Sequence, residues 1–264
     1  MKVLILDSAR DATRRTAEII AEQLRDTPDS VLGLATGGTM VPVYAELRAL
    51  YAKGLSFAGV TSFNLDEYVG LAGDHPASYR HYMRDALFDH VDIDQNRTHL
   101  PKGDAQDPVA EADAYEVQIR QAGGIDLQLL GIGQNGHIGF NEPTSSLGSR
   151  TRIKTLTEST RAANRQYFDD EGAMPRYAIT MGVQTILEAR HCLLLATGAS
   201  KARAVAAMVE GPVSAACPAS ILQMHPRATV VLDAEAAADL RLREYYDHVH
   251  PGGQDSAFES EGAR

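Results

Sequence analysis

Long apolar runs are missing from this sequence. No stretch approaches the ~20 residues that a helix needs to cross a bilayer, and the opening run, Val3-Leu-Ile-Leu6, is too short for the core of a signal peptide. Cysteine is scarce. Cys192 and Cys217 lie far apart without CxxC spacing, which speaks against a metal site or a disulfide framework and for two small buried residues. Positive charge is also in deficit: 25 Lys and Arg stand against 35 Asp and Glu, a net charge of −10. Nucleic acids and anionic membranes need concentrated positive potential, so neither is expected as the main partner. A small phosphorylated ligand needs only a local pocket of donors and stays open. These absences point to a cytoplasmic protein.

Apolar residues make up 44% of the 264 and charged residues 23%, enough for a sizeable buried core. The length allows one large α/β domain or two small ones. No repeat and no Pro/Gly/Ser-rich linker divides the chain, which favours one domain over 1–247. The remaining 248–264, rich in Gly, Ser and acidic residues, reads as a disordered tail. Strand-like segments at 3–6, 31–35, 57–63, 125–130, 191–196 and 228–232 alternate with helical spacing at 12–24, 40–52, 78–88, 109–121, 179–189, 201–209 and 234–246. The strands are continuously apolar. That pattern predicts a Rossmann-like α/β fold, a mostly parallel sheet with helices on both faces.

Chemistry concentrates in the turns after these strands. Gly131-Ile-Gly-Gln-Asn-Gly-His137-Ile-Gly-Phe-Asn-Glu142-Pro143 sets an imidazole near a carboxylate in a glycine-rich loop, a plausible proton-transfer pair. A structural histidine tying the loop is the plainer alternative, but glycines on both sides and Asn141-Glu142 just beyond favour the functional one. Asp66-Glu67 follows another apolar run and is flanked by Phe63, Leu65, Tyr68 and Val69, which turns at least one carboxylate inward rather than into solvent. A desolvated carboxylate gains proton affinity and suits proton abstraction near neutral pH. Thr36-Gly37-Gly38-Thr39 joins a strand to a helix, where free N–H groups and hydroxyls can hold an anion. Thr197-Gly-Ala-Ser-Lys201 repeats the arrangement with a lysine, whose charge opposes the helix dipole unless a phosphate is bound.

Together these residues resemble the glucosamine-6-phosphate deaminase (isomerase) family over nearly the whole chain. The most specific segments are Leu34-Ala-Thr-Gly-Gly-Thr39, Phe63-Asn-Leu-Asp-Glu-Tyr-Val-Gly-Leu71, Gly136-His-Ile-Gly-Phe-Asn-Glu-Pro143 and Ser149-Arg-Thr-Arg-Ile-Lys-Thr155. The resemblance implies conversion of glucosamine 6-phosphate and water to fructose 6-phosphate and ammonium, with no metal or organic cofactor. By position, Asp66 would move a proton between C2 and C1. His137 would open the pyranose ring, held by Asn135 and Glu142, and Glu67 would help shape the site. Thr36, Gly37, Gly38, Thr39 and Lys201 would hold the 6-phosphate.

Two positions depart from the family pattern. Asn135 stands where an aspartate is found, so it can orient the imidazole but adds no charge. Gln166 replaces a phosphate-binding arginine; Arg165 is one residue away, a rotation of about 100° on a helix. The resemblance also implies a regulatory site of Ser145, Ser146, Arg152 and Lys154, completed by Tyr245 or Tyr246. In hexameric members it binds N-acetylglucosamine 6-phosphate, so a hexamer activated by that ligand is expected. The competing readings are a 6-phosphogluconolactonase-like hydrolase, which would not need Asp-Glu-Tyr after the third strand, and a sugar-phosphate sensor. Such sensors carry a fused DNA-binding helix-turn-helix, whereas this sequence opens on its first strand.

Overall fold

A computed structural model describes residues 1–158, 161, 168 and 174–255. Its main sheet has seven strands: β1 Lys2–Leu6, β2 Val31–Leu34, β3 Thr61–Asn64, β5 Thr98–His99, β6 Leu127–Leu130, β9 His191–Ala196 and β10 Ala228–Asp233. All pair in parallel, in the order β1-β10-β9-β6-β2-β3-β5. Every residue of β6, β9 and β10 is buried, which is why these strands read as unbroken apolar runs. Helices α1 Ala9–Asp26, α2 Val41–Tyr51, α3 Tyr79–Ala86, α4 Pro108–Gln121, α5 Val183–Leu187, α6 Ala202–Glu210 and α7 Arg243–Val249 complete the layers. The single-domain α/β class read from the sequence is the observed one. Helix α1 shows how local signals set an element: Ser8 accepts the Asp11 N–H as its N-cap, and buried Ala12, Thr16, Ile19, Ile20 and Leu24 form one face.

Strand order places the site. From β2 the chain works outward through β3 to β5; from β6 it works the other way through β9 to β10. The crevice beyond the carboxyl ends of neighbouring β2 and β6 is therefore the switch point where α/β sheets bind ligands.

A second, antiparallel sheet of β4 Asp66–Tyr68, β8 Tyr177–Thr180 and β7 Arg152–Thr155 was not apparent from the sequence. It grows directly out of β3, with Leu65 as the joint. The Leu65 N–H donates to Leu34 O of the large sheet at 3.1 Å, and its carbonyl accepts the Met181 N–H beyond β8 at 2.7 Å.

Three expectations are corrected. Ile179 lies in β8, and the helix expected over 179–189 shrinks to α5, because the edge of β4 recruits 177–180 as a strand and Gly182 caps the short helix after it. The helix expected over 234–246 is mostly turns: Asp233 accepts N–H bonds from Ala236 and Gly198, and buried Ala236 and Ala237 pack in the core. Helix begins only at Arg243. Residues 248–255, assigned to the tail, are docked. His250 and Gly253 are buried, and Asp255 bonds Lys2 at 2.8 Å and Arg15 at 3.1 Å. The remainder of that segment, 256–264, lies outside the described residues.

Candidate active site

A cavity of about 550 Å³ opens at the switch point, lined by Thr36–Met40, Leu65, Asp66, Tyr79, the 131–140 loop and Lys201. Its size falls within the range of small-molecule sites. The Thr36-Gly-Gly-Thr39 turn forms one wall. Gly37 has φ +104, a conformation that a side chain would strain. The Gly37 carbonyl accepts the Tyr82 hydroxyl and the Met40 N–H. Among the described residues no protein acceptor meets the N–H groups of Gly38 and Thr39. The second turn is built differently. Its Gly198 N–H donates to both Asp233 oxygens at 3.0 Å and its Ala199 N–H to Glu235 at 3.3 Å. The Lys201 side chain beside this turn lines the cavity, and burial holds its ammonium below the usual lysine range.

Asp66 is buried and stands at the junction of both sheets. A Cβ placed on Gly139 would lie 3.2 Å from Asp66 Oδ2 and 3.1 Å from Thr180 Oγ1 at a φ of +53, so glycine suits the point where the 131–140 loop crosses the carboxylate. Thr180 Oγ1 accepts the Phe140 N–H at 3.1 Å and hydrogen-bonds Asp66. Burial first, then the charge of Glu67, push the Asp66 carboxyl up to about 8, with the Thr180 bond opposing both. Tyr79, the first residue of α3, spans the site: its hydroxyl meets Tyr68 at 3.1 Å and Thr36, and its ring stacks on Phe140 at 6.1 Å.

The His137 loop supplies the second cluster. His137 Nδ1 lies 2.7 Å from Asn135 Oδ1 and 3.4 Å from Glu142 Oε2. Asn135 Nδ2 donates to Glu142 Oε2 at 2.7 Å, and Thr157 Oγ1 donates to Glu142 Oε1 at 3.2 Å. A carboxylate only accepts, so the amide must turn its NH₂ to Glu142 and its oxygen to the ring. In the neutral ring the proton then sits on Nδ1, and Nε2 keeps a lone pair. The ring lies over Gly133, where a Cβ would collide with it.

The sequence profile of the family described as glucosamine-6-phosphate isomerases/6-phosphogluconolactonase matches residues 6–231. The chain belongs to this family. A glucosamine-6-phosphate deaminase of Shewanella loihica is 54% identical over 255 residues, 96% of this chain and 95% of the relative. The solved structure of a monomeric glucosamine-6-phosphate deaminase is 47% identical, with TM-score 0.88 over 90% of this chain and 100% of the other. The 6-phosphogluconolactonase of Trypanosoma brucei is 19% identical with TM-score 0.74, covering 90% and 98%, which is a likeness of fold alone.

Within this family framework the remaining residues divide into those the fold brings to the site and those it sets apart. Arg152 and Lys154 share one face of β7, and Arg152, Thr180 and Asp66 align in one row across the small sheet. Arg152 Nη1 donates to Asn141 Oδ1 at 2.8 Å, and Asn141 Nδ2 donates to Ile138 O and Met181 O. Ser145 is buried with its hydroxyl unpartnered, and Ser146 is exposed. Tyr246 reaches Glu210, whereas Tyr245 is exposed. Arg165 and Gln166 lie outside the described residues. Sequence reasoning missed Tyr79, Thr180, Asn141 and Thr157. Tyr79 alone left a trace, an aromatic just after a Ser N-cap.

Proposed function

We propose that this enzyme isomerises and deaminates glucosamine 6-phosphate, giving fructose 6-phosphate and ammonium, with one water consumed. The observation that carries the reading is a single cavity walled by a buried carboxylate, an oriented imidazole, turn amides that no described residue accepts and a lysine. Its support from relatives is the 54% identity to a deaminase over nearly the full chain. His137, with its lone pair on Nε2, takes the anomeric hydroxyl proton and returns one to the ring oxygen, so the pyranose opens. Asn135 and Glu142 fix that tautomer. The aldehyde then acidifies C2; ionised Asp66 carries the C2 proton to C1 while one N–H proton passes to O1, so that C1 becomes a CH₂OH and C2 an imine. The resulting imine at C2 adds water and loses ammonia. The Thr36–Thr39 turn and Lys201 hold the 6-phosphate; this remote binding energy positions the reacting carbons. Every step is a proton transfer or an addition or loss of water or ammonia, which acid–base groups suffice to run.

Regulation and assembly belong to the same reading. Ser145, Ser146, Arg152 and Lys154 form the phosphate end of an activator site for N-acetylglucosamine 6-phosphate between subunits of a hexamer, in a cytoplasmic enzyme. Support comes from the unpartnered Ser145 hydroxyl and from the Arg152–Asn141 bond, which ties this face to the His137 loop. The monomeric solved relative favours a second arrangement, one chain without the subunit interface. Ammonium release from glucosamine 6-phosphate, with and without the acetylated sugar phosphate, tests the reaction and the switch together. Light scattering decides the assembly. No release from folded protein overturns the reaction, and curves indifferent to the acetylated sugar overturn the switch.

A further inference from the structure

The proton transfers above leave Glu67 unused, although its carboxylate is among the most firmly held in the molecule. It is 2% exposed. Oε1 accepts the N–H groups of Tyr68 at 2.9 Å and Tyr79 at 3.0 Å, and Oε2 accepts that of Arg80 at 3.0 Å. Tyr79 and Arg80 open α3, whose next N–H, on His81, goes to the N-cap Ser78. Successive strand residues face opposite ways, so Glu67 points to α3 while Asp66 points to Gly139 and Thr180. Ser78 takes only the His81 N–H, so Glu67 completes the cap by accepting the two before it. The same carboxylate stands one residue from Asp66, and a structural cap alone does not account for a charge held there.

We propose that Glu67 is a positioning residue for Asp66: three backbone N–H donors pin its charge beside the base, strengthening that base, and the same bonds seat Tyr79 over the cavity. The inference rests on Asp66 being the C2 base. A more basic carboxylate is the better acceptor for a weakly acidic C–H proton, up to the point where it is no longer ionised at working pH. The groups surrounding the pair fit the division of labour. Burial lifts the Glu67 carboxyl above the usual glutamate range, and the three N–H donors and the Arg80 charge from α3 pull against that rise. Asp66 faces the phenols of Tyr79 from α3 and Tyr115 from α4, the Thr180 hydroxyl from β8, and His137 and Lys201 across the cavity. Arg152, next in the row on β7, is spent on Asn141. Among the described residues the three backbone N–H donors go to Glu67, so the geometry places the held charge of the pair there.

The test is the pH profile of kcat/KM for Glu67→Gln, Ser78→Ala and Arg80→Gln, with ¹³C NMR of carboxyl-labelled aspartate following Asp66 without substrate. Glu67→Gln should move the acid limb and the Asp66 midpoint down by about one pH unit or more, with a lower plateau rate. Ser78→Ala loosens the same helix end but keeps the charge, so its limb should stay in place. Arg80→Gln leaves the backbone donor and removes the cation facing Glu67; it should move the limb upward. This variant keeps the question answerable if Glu67→Gln fails to fold. A limb and midpoint that do not respond to the loss of either charge overturn the inference. Turnover surviving in Asp66→Asn overturns the base assignment instead, and the NMR midpoint separates the two failures.

Discussion

The two acid–base clusters of this enzyme are made in opposite ways. Asp66 and Glu67 sit on a strand, buried, with electrostatics set by desolvation and by each other. The His137 cluster sits on a loop with the imidazole side chain 25% exposed, and it works through direction: a chain of bonds from Glu142 through Asn135 fixes which nitrogen holds the proton. A base that must attack carbon gains from burial and a nearby like charge. A group that shuttles protons between oxygens gains from a fixed tautomer and access to water. The asparagine at 135 belongs to the second logic, since it passes on orientation without adding charge.

The largest test of this contrast removes the base. Asp66→Asn should lower kcat by roughly 10²–10⁴-fold while calorimetry shows substrate still binding; near-normal turnover with weak binding would show that the carboxylate only shapes the pocket. Next is the relay. Asn135→Leu severs both bonds without touching charge and should cost about tenfold or more in kcat, with the pH profile keeping its acid limb. That limb belongs to Asp66 and should have its midpoint near pH 8, activity rising as the carboxylate ionises; a profile flat between about pH 6 and 9 would remove Asp66 from the role. Lys201→Ala should mainly raise KM, by about tenfold or more, and an unchanged KM would exclude it from the phosphate. The smallest effect is on stability. Because the Asp66 pKa is raised on folding, its favourable contribution is complete below the unfolded value of 3.8 and is lost as pH climbs toward about 8. Asp66→Asn should therefore match the parent in thermal unfolding near pH 4 and exceed it by several degrees near pH 8.

The same contrast explains which features were legible in the sequence. The large sheet was, because parallel strands buried on both faces are apolar throughout, as in His191–Ala196. The small sheet was not. Asp-Glu-Tyr and Arg-Ile-Lys-Thr carry no apolar run, and Tyr177–Thr180 merges with the helix after it into one deceptive pattern. Asp66 and His137 announced themselves as acid–base side chains just past apolar runs. Tyr79, Thr180 and Asn141 did not, because none carries a charge and each reads as core or as ordinary loop. Two similar glycine–hydroxyl turns also proved unlike. Only the structure shows that the amides of Gly198 and Ala199 are taken by Asp233 and Glu235, whereas no described residue accepts those of Gly38 and Thr39.

Leu65 has a wider consequence. One residue is stitched to the large sheet through its N–H and to the small sheet through its carbonyl. The Thr36–Thr39 turn follows β2 of the first sheet, and Asp66 lies on β4 of the second. Neither layer can slide past the other without breaking that double stitch. Under the proposed reaction, the span from the phosphate turn to the base would gauge a sugar phosphate much as a caliper with locked jaws gauges a part.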